Sequence, residues 1–326
     1  MRPPLDTSPE KTRLASSRAY SIALAPQLVY ARSNLPSVMV SSRTHDQLEF
    51  QAVGSWFIVD ASQTSDRQLV KVPNGREDVF QDTSLGLKAK RSLMKFLRFV
   101  STYQQQDDWD DTRHLSFPLV LKTVFGLPEY SHQPLLALAL APTPDVATST
   151  ETAVSRIARH ARSMGIFGPG FSAVLPKWGG LAEISQVACR ACAVGGGVYV
   201  LNKGVDRLVK VAEDSLSLEL SDGESITTEW LIGSGSDLPS RGEACAEATT
   251  MSSLTRSISI VSSPLTSLFP RTSEGGVLPA GAVIHITTGS NIPPVYILVH
   301  SSESGECPSQ QCEFSFTCHC HITRTS

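Results

Sequence analysis

Residues 180–201 read GLAEISQVACRACAVGGGVYVL, and the parsing of this stretch decides how the rest of the chain is arranged. An apolar pattern at helical spacing predicts a helix over 183–194. Gly195, Gly196 and Gly197 end it, and the β-branched and aromatic run at 198–201 predicts a strand. Glu183 and Arg190 lie seven residues apart, two helical turns, and so share one face. Val198 and Val200 alternate in the expected strand and point to one side. Cys189 and Cys192 form a C-x-x-C inside the helical pattern. A redox pair would instead open a helix after a strand, so both thiols are expected to pack as small buried hydrophobes.

Sheet character continues downstream. Runs at 216–220 and 226–232 flank Asp222-Gly223, a strong hairpin signal, and 257–261, 281–287 and 295–300 read as further strands. Upstream, 171–175 is a strand candidate. Short runs at 50–59 and 68–72, with a turn over 63–66, read as a small sheet, and residues 18–40 as a short helix or turn leading to a strand at 38–40. Between these blocks the period changes. Leu93, Phe96, Leu97 and Val100 recur on one face of an amphipathic helix over 87–103, decorated by Lys88, Lys90, Arg91, Lys95 and Arg98. Helices are also expected over 115–125, 133–141 and 150–164, with Pro118, Pro128, Pro134 and Pro142 near their ends. The expected organisation is a polar tail at 1–16, a discontinuous sheet-containing domain at 17–83 and 168–308, an all-helical domain at 84–167, and an irregular tail at 309–326.

Composition narrows the function. The 326 residues include 43 Ser, 20 Pro and 22 Gly, while charged residues are only 18%. Such a chain is loop-rich and is neither a coiled coil nor a disordered polyelectrolyte. A net charge of −3 argues against a nucleic-acid partner, whose binding rests on neutralising phosphates. No apolar run approaches the ~20 residues of a membrane helix. Seven Cys with no apolar leader suit a reducing, cytoplasmic setting better than a disulfide framework.

Catalytic and metal signatures are missing. Asp107, Asp108, Asp110, Asp111 and His114 have no metal-loop spacing and read as a solvated acidic loop. Cys312, Cys318, His319, Cys320 and His321 crowd the tail too closely to wrap a tetrahedral ion without distant partners, so no metal site is expected. Gly233-Ser234-Gly235-Ser236 is out of register for a nucleophile elbow, and no phosphate-loop or H-E-x-x-H pattern occurs.

Three stretches resemble the Rab escort protein and Rab GDP-dissociation inhibitor family. Residues 17–30, SRAYSIALAPQLVY, are similar to its R-x-[YW]-[NS]-[IV]-D-L-x-P-K segment. Residues 90–103, KRSLMKFLRFVSTY, are similar to its K-R-x-[LM]-M-K-F-L motif. The opening stretch is similar to its G-x-G-E-L-[PS]-Q-x-[FA]-x-R-x-x-A-[VI]-x-G-G-x-Y-x-L motif, with the spacing from Glu183 through Gln186 and Arg190 to the glycines and Tyr199 matching throughout, and 274–308 resemble a later block of escort proteins. Ala23 and Gln27 stand where the family has Asp and Lys. The family's opening strand, glycine turn and helix are not found before Ser17, and its last elements are not found after Cys307, so a scaffold shortened at both ends is expected.

The resemblance implies an α/β (α+β) fold: a flavoprotein-like FAD/NAD(P)-binding-type domain, incomplete, carrying an inserted helical domain. It implies a non-catalytic accessory subunit with no cofactor. Such a protein binds GDP-loaded Rab GTPases, presents them to the Rab geranylgeranyltransferase heterodimer and delivers the prenylated product to membranes for vesicle-mediated transport. Carried over by position, Rab binding falls on Glu183, Gln186, Arg190, Val198 and Val200, and transferase or lipid contact on Phe96, Phe99 and Arg98. A flavin-dependent oxidoreductase fragment of the related fold is the alternative, and the absence of any G-x-G-x-x-G weighs against it.

Overall fold

The structure is a computed structural model that describes residues 14–60, 68–73, 79, 85–106, 109–212, 214–234, 237–239, 253–287, 289 and 291–320. The expected turn at 63–66 and the pair Asp107 and Asp108 lie outside these. The chain forms two compact units, one of residues 1–188 and 252–326 and one of residues 189–251.

The larger unit is built on one sheet of β1 (Val29–Tyr30), β2 (Phe50–Asp60), β3 (Gln68–Val72), β4 (Ala173–Pro176), β8 (Ser253–Val261), β9 (Gly281–Ile286), β10 (Val295–Ser301) and β11 (Cys312–Cys320). The strand order is β1-β4-β2-β9-β10-β11-β8, with β3 also paired to β2. The β2–β9 pair is parallel and the other pairs are antiparallel. The register of β2 shifts between Val53 and Ser55. A side chain at the intervening Gly54 would drive its Cβ to 2.2 Å from Pro279 Cγ, so only glycine fits there.

Among its described residues this unit includes α1 (Asn34–Ser41), α2 (Leu87–Thr102), α3 (Trp109–Thr112), α4 (Phe117–Thr123), α5 (His132–Ala139) and α6 (Thr150–Ser163). In α2 the buried residues are Ala89, Leu93, Phe96 and Val100, the face that the periodicity predicts. Ser149 caps α6 by accepting a hydrogen bond from the Thr152 amide at 3.2 Å. Phe96 and Phe117 join Val53, Trp56, Val72 and Val283 of the sheet in one core cluster. The ring of Trp56 meets that of His160 edge-on, centroids 5.1 Å apart. Burial without a compensating charge pulls the His160 imidazole down to about 4. On the opposite sheet face Phe57, Ala282, Ile284, Ile297 and Val299 pack with Leu268, Phe269 and Cys312. Adjacent residues of β2 thus feed two cores, as a strand buried on both faces must.

The helices of 84–167, expected as a separate domain, share a core with the sheet, and the smaller of the chain's two compact units is 189–251. That smaller unit holds β5 (Val205–Val211), β6 (Leu216–Leu220) and β7 (Ser225–Thr228) as an antiparallel meander. Gly223 takes φ +83° in the turn at Asp222-Gly223. Three expectations fail. Residues 38–40 lie in helix α1, with Pro36 tolerated in its first turn, and only Met39 is buried. The region expected to be an irregular tail contains β11, which pairs with both β10 and β8. Its Cys312, Phe314 and Phe316 face the second core while Glu313 and Ser315 alternate to the other side. Residues 198–201 form no strand.

Behind β11 lies a buried polar group of His300, Glu306 and Glu313, the last two fully buried. His300 Nδ1 is hydrogen-bonded to Glu306 Oε2, and Glu313 faces His300 across the β10–β11 pair. Glu306 Oε1 and both Glu313 carboxylate oxygens are unpartnered. Burial pushes the Glu313 carboxyl up to about 7, with the charge of Glu306 adding and that of His300 opposing.

Two outcomes follow from this packing. Phe96→Ala is expected to destabilise the chain by about 3–5 kcal/mol in urea denaturation, the cost of an unfilled aromatic site. The folded Glu313 value lies above its ordinary 4.5, so its stabilising protonated form is complete below that pH and is lost as pH rises through about 7. Glu313→Gln should therefore be more stable than the parent at about pH 8, by up to about 3 kcal/mol, with the gap closing below about pH 5. A gap that is the same at both pH values would contradict the assignment.

Candidate partner-binding site

The stretch that organises the sequence forms helix α7 (Leu181–Val194), and the boundary between the two units falls inside it, after Ala188. Its start follows Gly179-Gly180, where Gly180 takes φ +61°. Glu183 sits in the first turn, where a carboxylate suits the helix dipole. A Cβ on Gly179 would lie 2.8 Å from Glu183 Oε1, so glycine leaves room for that carboxylate. Glu183 is half-buried and accepts a hydrogen bond from Gln186 Nε2 at 3.3 Å. Gln186 and Arg190 are exposed, and neither Glu183 nor Arg190 enters an ion pair among the described residues. None of the fourteen residues of α7 is buried, although its composition is largely apolar.

Within the smaller unit the end of α7 is closed by glycine. Gly197 donates its amide to the Cys192 carbonyl at 2.9 Å and Gly196 donates to that of Ala193 at 3.1 Å. Gly196 takes φ +93°, the left-handed conformation that this closure needs. A Cβ on Gly197 would meet Cys192 Sγ at 2.4 Å. The Tyr199 phenol is pushed up to about 12, chiefly by its hydrogen bond to the Cys192 thiol. Cys192 is exposed and Cys189 half-buried, so neither is the core thiol that the helical pattern suggests.

Val198 and Val200 are 85% and 57% exposed and lie outside any strand, so the alternation expected of them is not realised. The described residues provide no strand partner for 198–201. The smaller unit also exposes Val194, Leu201, Trp230 and Ile232. Large exposed apolar side chains of this kind accompany interaction surfaces.

On α2 the three expected contact residues differ. Phe96 is fully buried between Phe117 and Phe125, with centroids 5.8 and 5.2 Å away, so its proposed contact role is withdrawn. Phe99 is half-buried against Trp109 and Phe125, and Arg98 is exposed. Among the described residues no cluster of His, Cys, Asp or Glu could hold a metal, and no helix is long and apolar enough to cross a membrane.

The sequence matches the family described as GDP dissociation inhibitor over residues 4–289. The chain belongs to that family. Among relatives of the chain is the Rab proteins geranylgeranyltransferase component A of Saccharomyces cerevisiae, 31% identical over 226 residues, covering 69% of this chain and 36% of that protein. The Candida albicans protein of the same name is 32% identical over 232 residues, covering 69% and 34%. The Drosophila melanogaster one is 27% identical over 299 residues, covering 90% and 55%. The chain thus spans about a third to just over half of these relatives. A solved Rab GDI from Plasmodium falciparum matches with TM-score 0.66 at 20% identity, covering 94% of this chain and 69% of that one. A putrescine oxidase matches with TM-score 0.51 at 11% identity, over 91% of this chain and 64% of its own. Both likenesses concern the fold, and the α/β architecture related to flavoproteins is the one that the motifs imply.

Replacing Gly196 tests the helix closure. Gly196→Ala should cost about 1–2 kcal/mol, the penalty of a side chain in the left-handed region, read as a lowered urea midpoint. A midpoint equal to the parent's would mean that the closure relaxes without strain.

Proposed function

We propose that this chain is a non-catalytic, escort-type Rab-binding protein. It binds GDP-loaded Rab GTPases, presents them to the Rab geranylgeranyltransferase heterodimer, and accompanies the prenylated product to membranes. Its setting is the cytosol, with transient membrane contact. The observation that carries this reading is α7 itself. A fourteen-residue helix with no fully buried residue, of which Leu181 and Ile184 pack against a core cluster, and whose Glu183 and Arg190 have no ion-pair partner among the described residues, offers polar groups to a second protein. Membership of the GDP dissociation inhibitor family and the names of the fungal and fly relatives supply the class of partner.

In this reading Glu183, Gln186 and Arg190 make charge-assisted hydrogen bonds to the GTPase, and Val198 and Val200 add apolar contact. Phe99 and Arg98 on α2 contact the transferase or the lipid, Arg98 through its exposed guanidinium and Phe99 through its half-buried ring. The absence of a nucleophile elbow, phosphate loop or H-E-x-x-H pattern fits a protein that works by binding.

Binding of GDP-loaded Rab to the full chain, measured by titration calorimetry, checks the site. Hydrogen bonds to charged groups contribute ~1.5–3 kcal/mol each, so Glu183→Ala with Arg190→Ala should weaken binding by about a hundred-fold while leaving the melting temperature nearly unchanged. Parent-like affinity in that double variant would remove these residues from the interface.

A further inference from the structure

The larger unit holds a cleft of about 620 Å³ lined by Arg32, Tyr103, Ser155, Arg159 and Arg162. Three of its five walls are guanidinium groups drawn from two separate parts of the chain. Arg159 and Arg162 stand one turn apart at the end of α6, and Arg32 comes from the loop between β1 and α1. The loop is fastened to the helix because the Arg32 amide donates to Ser163 Oγ at 3.0 Å. Arg162 is held in place by a hydrogen bond from Nη2 to the Ser101 carbonyl at 3.1 Å and by the Tyr103 ring, 5.9 Å from its guanidinium. Among the described residues none of the three forms an ion pair. Arg156, a turn earlier, is engaged differently, donating to the Leu140 carbonyl at 2.5 Å.

Basic residues at a helix C-terminus are favoured by the helix dipole alone. That accounts for Arg162 but not for Arg32, which belongs to another segment, and not for a cavity between them. The charge of Arg159 is also felt at Tyr30: burial pushes its phenol up, and the charges of Arg159 and Arg156 pull it back. Three guanidinium groups on one cleft, none of them in an ion pair among the described residues, suit an acceptor with several oxygens and at least two negative charges. A single carboxylate would leave much of this charge unmatched.

We propose that this cleft binds a phosphate-bearing ligand. Arg159, Arg162 and Arg32 donate to its phosphate oxygens, and Tyr103 forms the apolar wall, while the Ser155 hydroxyl at the lining keeps its proton on the Thr152 carbonyl at 3.1 Å. The ligand is either a soluble polyphosphorylated molecule or the headgroup of a phosphorylated lipid, since both present the same chemistry.

Titration of the full chain with inositol trisphosphate and sedimentation with vesicles containing phosphatidylinositol bisphosphate separate the two sources. Saturable binding of the soluble trisphosphate assigns a free ligand. Binding that saturates only on the vesicles assigns a lipid headgroup. In either case R159Q/R162Q should lose about ten-fold or more in affinity, whereas Lys88→Gln, elsewhere on the basic surface, should retain it. R159K/R162K keeps the charge at the helix end and with it the melting temperature, yet should still lose affinity several-fold because the forked donors are gone. Absence of binding to both probes, equal binding to phosphatidylserine vesicles, or parent affinity in R159Q/R162Q or R159K/R162K would overturn the proposal.

Discussion

The architecture of the larger unit depends on burying strand β2 on both faces at once. Trp56 turns toward the helices, where it meets His160, and Phe57 turns toward Phe269 and Ile284. A strand wedged between two cores cannot slip by one residue without moving every apolar side chain to the wrong side. Its partners are fixed by the same requirement: β9 in parallel, with β4 and β3 antiparallel along different parts of its length. The helices α2, α4, α5 and α6 are thereby tied to the sheet through one continuous apolar cluster.

That arrangement separates residues that maintain the fold from those that remain at the surface. Phe96, one of the most apolar positions of its helix, is consumed by the core. Helix α7 is the reverse case, apolar in composition and without a buried residue. The surface arginines divide similarly. Arg156 is committed to a backbone carbonyl, while Arg32, Arg159 and Arg162 face one cleft. Each distinction rests on what a side chain touches and not on residue type.

Much of this was legible in the sequence because periodicity records burial. The face of α2, the span of β3, the hairpin at Asp222-Gly223 and the glycine end of α7 follow directly from spacing and turn chemistry. The failures share a cause: local pattern does not reveal which neighbours exist. Val38-Met39-Val40 looks like a strand, but with Pro36 starting a turn it becomes helix α1. The crowded cysteines and histidines of the β11 segment hide its alternation, and the burial of Glu313 and Ser315 depends on pairing with both β10 and the more distant β8. Val198 and Val200 have strand propensity, but the described residues offer them no strand to pair with. The placement of Glu183, Gln186 and Arg190 on one helix follows from spacing, whereas the arginine cleft joins residues more than a hundred positions apart and has no sequence signature.

The central functional claim is that α7 is the surface that meets a GDP-loaded Rab. Hydrogen exchange of the full chain with and without that partner tests it most directly. The account predicts slowed exchange of amides in α7 upon binding and no change in the buried core of α2. Protection confined to the helices of the larger unit, with α7 exchanging as it does in the free chain, would contradict it.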